Sequence, residues 1–290
     1  MRHLHRGTPP VLLALVCMLA TPLVAQTERH TLQGSDVAVY NLAGAIRVEP
    51  AGGAAVVVEV TRGGAEAARL RVVTGELRGR QTLRLIYPAD VIAYPAGSGT
   101  SDLRVRDDGT FGDPDGWRRE GRRVRISRRE DGFEAHADIR VGVPRGQKIA
   151  VYRGVGRVTV TNVEGELRVD VASADVTAEK TRGTLVIDTG SGDVTATDVE
   201  GEVSLDTGSG NVTVTRMRGA SYQLSAFSYQ LSAISYQLSA FSFQLSAFSF
   251  QLSAFSFQRS AISRQPGCPG WRLRHFDTGC AITLWCGVLV

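Results

Sequence analysis

Between Cys17 and Cys268 the chain has no cysteine, so no disulfide or thiolate-bound metal can hold that stretch together. Lysine is almost as scarce: Lys148 and Lys180 stand alone among 33 Lys and Arg residues. A basic balance carried by arginine in this way reads as a coding bias, so the net charge of +4 does not imply a nucleic-acid partner. Histidine is sparse too. Beyond the N-terminal segment only His30, His136 and His275 remain, far apart and without ligand spacing, which speaks against histidine-based catalysis and against a metal site or cofactor. After residue 24 no apolar run reaches the ~20 residues that a membrane span needs.

What is present is a repeat. DVASADV at 170–176, DTGSGDV at 188–194 and DTGSGNV at 206–212 superpose in a strict 18-residue period, with YRGVGRV at 152–158 as a degenerate first copy. Val158, Val176, Val194 and Val212 form one column, Thr159, Thr177, Thr195 and Thr213 the next, and Gly165, Gly183, Gly201 and Gly219 a third. A short period without insertions predicts stacked, solenoid-like architecture. Within a copy the apolar residues alternate (Leu185, Ile187; Val194, Ala196), which is the period of a strand with one buried face. Two short strands per copy follow, with Gly-Ser-Gly as the turn between them. Stacked as parallel strands ~4.8 Å apart, residues one repeat apart become neighbours. The charges agree: Glu164, Arg182, Glu200 and Arg218 alternate in sign down one column, as do Lys180, Asp198 and Arg216 down another.

From about Val141 to Gly219, the VPRGQKIAV lead-in and the G-x-L-x-V-x-T-G-S-G-D-V copies resemble a bacterial adhesin-like family, a domain of unknown function built as a β-solenoid. The resemblance implies an exported, non-enzymatic surface or envelope protein, and it carries over no catalytic residue.

Residues 1–25 read as a signal peptide: a basic start (Arg2, Arg6), an apolar run from Val11 to Val24, and a Leu-Val-Ala ending before Gln26. Cys17 is a poor lipid-attachment site, because Leu15 and Val16 stand where a small residue is wanted. Residues 26–140 carry short alternating segments that do not fit the 18-residue register, and are expected to form irregular N-terminal β coils capping the stack. Within them, 95–122 reads as a mobile surface loop. Asp107, Asp108, Asp113 and Asp115 there are possible hard-oxygen ligands for calcium, but they lack the spacing and terminal Glu of a calcium loop, so a solvated turn is expected. The arginines at 118, 119, 122, 123, 125, 128 and 129 are expected to form a solvated strand face, with Arg123, Arg125 and Ser127 facing outward and Val124 and Ile126 inward.

Two enzyme readings compete with the binding reading. Val186-Ile187-Asp188-Thr189-Gly190-Ser191 matches the aspartic-protease pattern, and Leu205-Asp206-Thr207-Gly208-Ser209 repeats it. Such enzymes need two carboxylates sharing a proton across a two-fold interface, whereas one repeat of separation puts these on adjacent strands of one sheet, so both motifs are expected to be turns. A β-helix carbohydrate-active enzyme would need paired acids on a flat strand face. The acidic ladder Asp170, Asp188 and Asp206, with Asp175 and Asp193, is expected at turns instead.

After Gly219 the 18-residue columns are lost and a period of seven begins, SYQLSAF and its near copies, running from 220 to 263. A helix here would carry a coiled-coil seam (Leu224, Phe227, Leu231, Ile234), which makes a coiled-coil oligomer through the tail the third class of function. The near identity of the copies favours a low-complexity tandem expansion that adds nothing to the core. Residues 264–290, with Cys268, Cys280 and Cys286, fit no metal or disulfide pattern and are read as an unstructured or foreign tail. The fold expected is therefore all-β, a β-solenoid of 18-residue coils spanning 141–219, followed by a low-complexity tail. The function expected is an exported binding module of unknown envelope or extracellular ligand, in the periplasm, at the cell surface or secreted, without catalytic, cofactor or metal residues.

Overall fold

The computed structural model of the chain describes residues 27–96, 100–112, 120–128, 131–235, 242–256 and 281–282. Residues 1–25, the acids at 113 and 115, the arginines at 118, 119 and 129, His275 and the three C-terminal cysteines lie outside the described residues.

The protein is all-β, with one 3-10 turn at Ala67–Arg69 and no α-helix among the described residues. The first strands are β1 (Thr27–Leu32), β2 (Asp36–Ala43), β3 (Ile46–Pro50) and β4 (Val56–Gly63), followed by the hairpin β5 (Arg71–Leu77) and β6 (Arg80–Ile86). Then come β7 (Val91–Ala93), β8 (Thr100–Val105), β9 (Arg122–Ser127) and β10 (His136–Val143). The repeats supply β11 (Gln147–Val155), β12 (Val158–Thr161), β13 (Glu164–Ser173), β14 (Val176–Glu179), β15 (Arg182–Ser191) and β16 (Val194–Thr207). Strands β17 (Asn211–Ser235), β18 (Ser242–Ser256) and β19 (Ala281–Ile282) follow.

The chain passes alternately between two runs of parallel strands. One run is β3, β12, β14 and the first half of β16; the other is β2, β11, β13, β15 and the second half of β16, so β16 joins the two into a single sheet. Cα partners in this region stand one repeat apart: Leu167 faces Leu185, which faces Val203, and Glu164 faces Arg182, which faces Glu200. Alternation buries one set per strand, for instance Leu185 and Ile187 on β15 and Val194 and Ala196 on β16, in a core dominated by Val, Ile and Leu. The charge columns form contacts, with Arg182 Nε 3.3 Å from Glu200 and Arg216 gripping Asp198 through Nε and Nη2 at 2.6 and 2.8 Å.

The N-terminal strands enter the same stack. β2 pairs with β11 and β3 with β12, both in parallel, although every strand from β3 to β10 lies in sequence between Val37 and its partner Ile149. Antiparallel pairs, β1 on β4 and β5 on β6, occupy the two ends of this strand order.

Several sequence expectations need correction. Asp188, Thr189, Gly190 and Ser191 are strand residues of β15, and Asp206 and Thr207 belong to β16. The turn comes later, at Gly192, where φ is +131°. The reason is that Thr189 and Thr207 point inward and are buried, their hydroxyls donating to backbone carbonyls (Thr189 to Ser191 at 3.2 Å, Thr207 to Gly192 at 3.0 Å), so the strand runs past the Asp-Thr-Gly. The acidic ladder Asp170, Asp188 and Asp206 consequently lies within strands rather than at turns.

The expected loop at 95–122 is also structured where it is described. β8 pairs antiparallel with β9, and β7 joins the other side of β9, making a three-stranded sheet. Val105 is buried, Leu103 packs against the core, and Phe111 and Thr110 are buried further along. A polar, glycine-rich composition masked these anchors. Ser127, expected outward, is buried at 2% exposure.

Nor does the backbone leave the sheet at Gly219. β17 continues beside β16 as far as the pair Asp206 and Ser225, after a register shift between Glu200 and Glu202 that lengthens the offset between partners by a single position. An odd period of seven does turn its residue set over with each copy. The shift absorbs the change of phase, and β18 then lies beside β17 at an offset of three whole heptads, Ser221 opposite Ser242.

Candidate functional site

The outward side of the second run carries a cleft of about 320 Å³ between the tip of the β5–β6 hairpin and strands β2, β11 and β13. Period-two alternation places Asp36 and Tyr40 of β2, Lys148 and Tyr152 of β11, and Glu166, Arg168 and Asp170 of β13 on this one face. Tyr40 and Tyr152 are register partners and stack, with ring centroids 4.5 Å apart and planes at 4°, and Phe111 meets Tyr40 edge-on. The stacked rings are buried, so they form the floor of the cleft rather than an open platform.

The walls alternate in charge. Arg80 Nε lies 3.0 Å from Asp36 and its Nη1 donates to the Tyr152 hydroxyl at 3.4 Å. Lys148 Nζ lies 2.8 Å from Glu166, whose carboxylate raises the lysine pKa. Arg168 stands 4.0 Å from Asp170. Each of these three cations thus has a carboxylate beside it. The wall therefore offers interleaved donors and acceptors more than a field of one sign, which matches hydroxyl-rich or zwitterionic ligands better than a polyanion.

A second cluster lies inside the stack. Arg153 shares an inward column with Asn41, Val171 and Thr189 and is fully buried. Its Nη2 donates to the Val155 carbonyl at 2.7 Å, while Nε and Nη1 meet no partner. Burial lowers the guanidinium pKa to about 10 and pushes the neighbouring Tyr87 phenol up. Tyr87 donates to Asn41 Oδ1 at 2.8 Å, and Asn41 Nδ2 donates to the Ala137 carbonyl at 2.7 Å. None of these three residues stands in a recognisable sequence motif for a site. The period alone could have flagged Arg153, because its column holds Val171 and Thr189 in later copies.

The other sequence candidates do not converge. Asp108 accepts from the Thr110 backbone and hydroxyl at 2.9 and 2.7 Å, a local turn bond. Arg123 and Arg125 clamp Asp102 at 2.8 and 3.1 Å and hold its carboxyl down at about 2, while Arg122 pairs with Asp90; these three arginines therefore have acidic partners within the chain. Val124 and Ile126 face inward as expected. His30 lies near Glu28 and His136 against the Tyr94 ring, on different strands. Asp188 and Asp206 are Cα partners on neighbouring parallel strands. Among the described residues no group of three or more His, Cys, Asp or Glu is placed to hold a metal ion, and no helix is long and apolar enough to cross a membrane.

No family model, curated protein or solved structure matches this chain.

Proposed function

We propose that the chain is an exported β-solenoid of 18-residue coils that works as an adhesin-like, non-enzymatic binding module at the envelope or cell surface. The observation that carries this reading is the parallel pairing at a fixed one-repeat offset through β11, β13, β15 and β16, which turns one face of each strand into a continuous outward ladder. Such a ladder is a rigid, repetitive surface, and repetitive surfaces suit repetitive ligands. The cleft at Asp36, Arg80, Lys148 and Glu166 is where a hydroxyl-rich ligand such as an envelope saccharide would seat. The aromatic-floored, charge-alternating wall supplies directional hydrogen bonds without a net field.

The test has two arms. Fractionation should place the processed protein in the periplasm, at the surface or in the medium. Titration calorimetry against isolated envelope polysaccharide should show binding that Lys148→Ala and Arg80→Ala weaken together about tenfold or more. A cytoplasmic, unprocessed protein, or binding indifferent to both substitutions, would overturn the reading.

A second reading, a β-helix carbohydrate-active enzyme, draws on the position of Asp170, Asp188 and Asp206 within strands, since a flat strand face is where such an enzyme would carry its acids. Release of reducing ends from a polysaccharide, lost in Asp188→Asn, would favour it.

A further inference from the structure

Residues 221–256 contain no charge, no proline and no glycine, and they repeat a seven-residue unit rich in Phe, Tyr, Gln and Ser. Strands with those properties are the ones that pair indiscriminately when an edge is left open. The chain already pairs this sequence with itself. β17 and β18 run in parallel at a whole-heptad offset, placing Ser221 opposite Ser242, Gln223 opposite Gln244, Leu224 opposite Leu245 and Gln230 opposite Gln251.

Two edges remain, on opposite sides of this pair. β16 accompanies β17 only to Ser225, so among the described residues 226–235 have no strand on that side. β18 carries β19 on its far side only at Leu252 and Ser253, so 242–251 have none there among the described residues. The two edges are equal in length and carry the same repeat.

We infer that a second copy of this chain occupies these edges: 242–249 of one molecule pair in parallel with 228–235 of the next. Whole-heptad register puts Ser228 opposite Ser242, Gln230 opposite Gln244 and Leu231 opposite Leu245. The pairing repeats between molecules the match that β17 and β18 make within one, with an offset of two heptads in place of three. Donor edge and acceptor edge are different surfaces, so the contact is heterologous and copies add end to end instead of closing into a dimer.

The register makes a selective test possible in the full chain. Within one molecule Gln230 faces Gln251 and Gln244 faces Gln223, so Gln230 and Gln244 face each other only across the intermolecular contact. Sedimentation velocity at rising concentration should show wild type growing into long β-type assemblies that bind thioflavin T. Gln230→Lys with Gln244→Lys sets like charges opposite each other and should raise the concentration for assembly about fivefold or more. Gln230→Glu with Gln244→Lys adds as many charges to the fold but pairs them, and should assemble at the wild-type concentration in low salt. The inference is overturned if wild type stays monomeric, if both double variants behave alike, or if assembly brings a helical circular dichroism spectrum.

Discussion

Gly201 sits directly beneath Gly183: a β-carbon on Gly201 would stand 2.0 Å from the Gly183 carbonyl oxygen. Gly183 stands in the same relation to Gly165 at 2.3 Å, and both residues also hold positive φ, +128° and +109°. Left-handed backbone and close approach therefore act together. Gly201→Val or Gly183→Val should cost upwards of ~2 kcal/mol, far more than Arg182→Gln on the exposed column beside them. Thermal unfolding of the three variants decides, and equal melting temperatures would contradict the account.

Three residues before each glycine of this column, the same corner holds positive φ without glycine. Asn162, Lys180, Asp198 and Arg216 hold φ between +54° and +56°. Of these residue types only Asn and Asp adopt that conformation at little cost. Lys180→Asn should thus stabilise by about 1 kcal/mol, or a few degrees in melting temperature, and Lys180→Val should do the reverse.

Asp188 and Asp206 face each other across adjacent strands without a cation between them in the register. Like charges so placed are unfavourable by about 0.2–1 kcal/mol, so Asp188→Asn with Asp206→Asn should keep the fold and melt at the same or a higher temperature. Hydrolysis of peptides at acid pH, or of polysaccharide, by wild type but not by this variant would make the pair catalytic after all.

Arg153 is fully buried, and two of its guanidinium nitrogens meet no partner. A buried charge with unpaired donors is often replaced without loss by an apolar side chain of similar length. Arg153→Met should melt no lower than wild type, whereas Arg153→Lys, which retains the charge with a smaller head, should melt lower. A drop of several degrees in Arg153→Met would show that the guanidinium holds a structural anion or water.

The parallel pairing was legible because each copy keeps strict length: Val158, Val176, Val194 and Val212 are partners in the sheet as they are in the alignment of copies. What was hidden depended on side-chain direction within a copy. Threonine is both a turn former and a good strand residue, and at Thr189 the inward hydroxyl decides for the strand. The pairing of β2–β3 with β11–β12 was beyond periodicity, because the inserted strands β4 to β10 separate partners that no repeat relates. The cleft escaped for the same reason: Asp36 and Arg80 come from outside the repeat, and their nearness to Lys148 and Glu166 exists only once β2 has docked.

The single-position slip between Glu200 and Glu202 has an evolutionary reading. Across the copies from β11 to β16 the partner offset is fixed at one repeat, so a residue inserted within a strand there would put the rest of that strand out of step with its neighbour. Downstream the only requirement is a whole number of heptads. Loss or gain of one unit, the commonest copying error in a tandem tract, would move β18 along β17 by a full heptad and leave like opposite like. The slip thus separates copies held to one fixed length from a tract in which a change by whole heptads would keep like residues opposite each other.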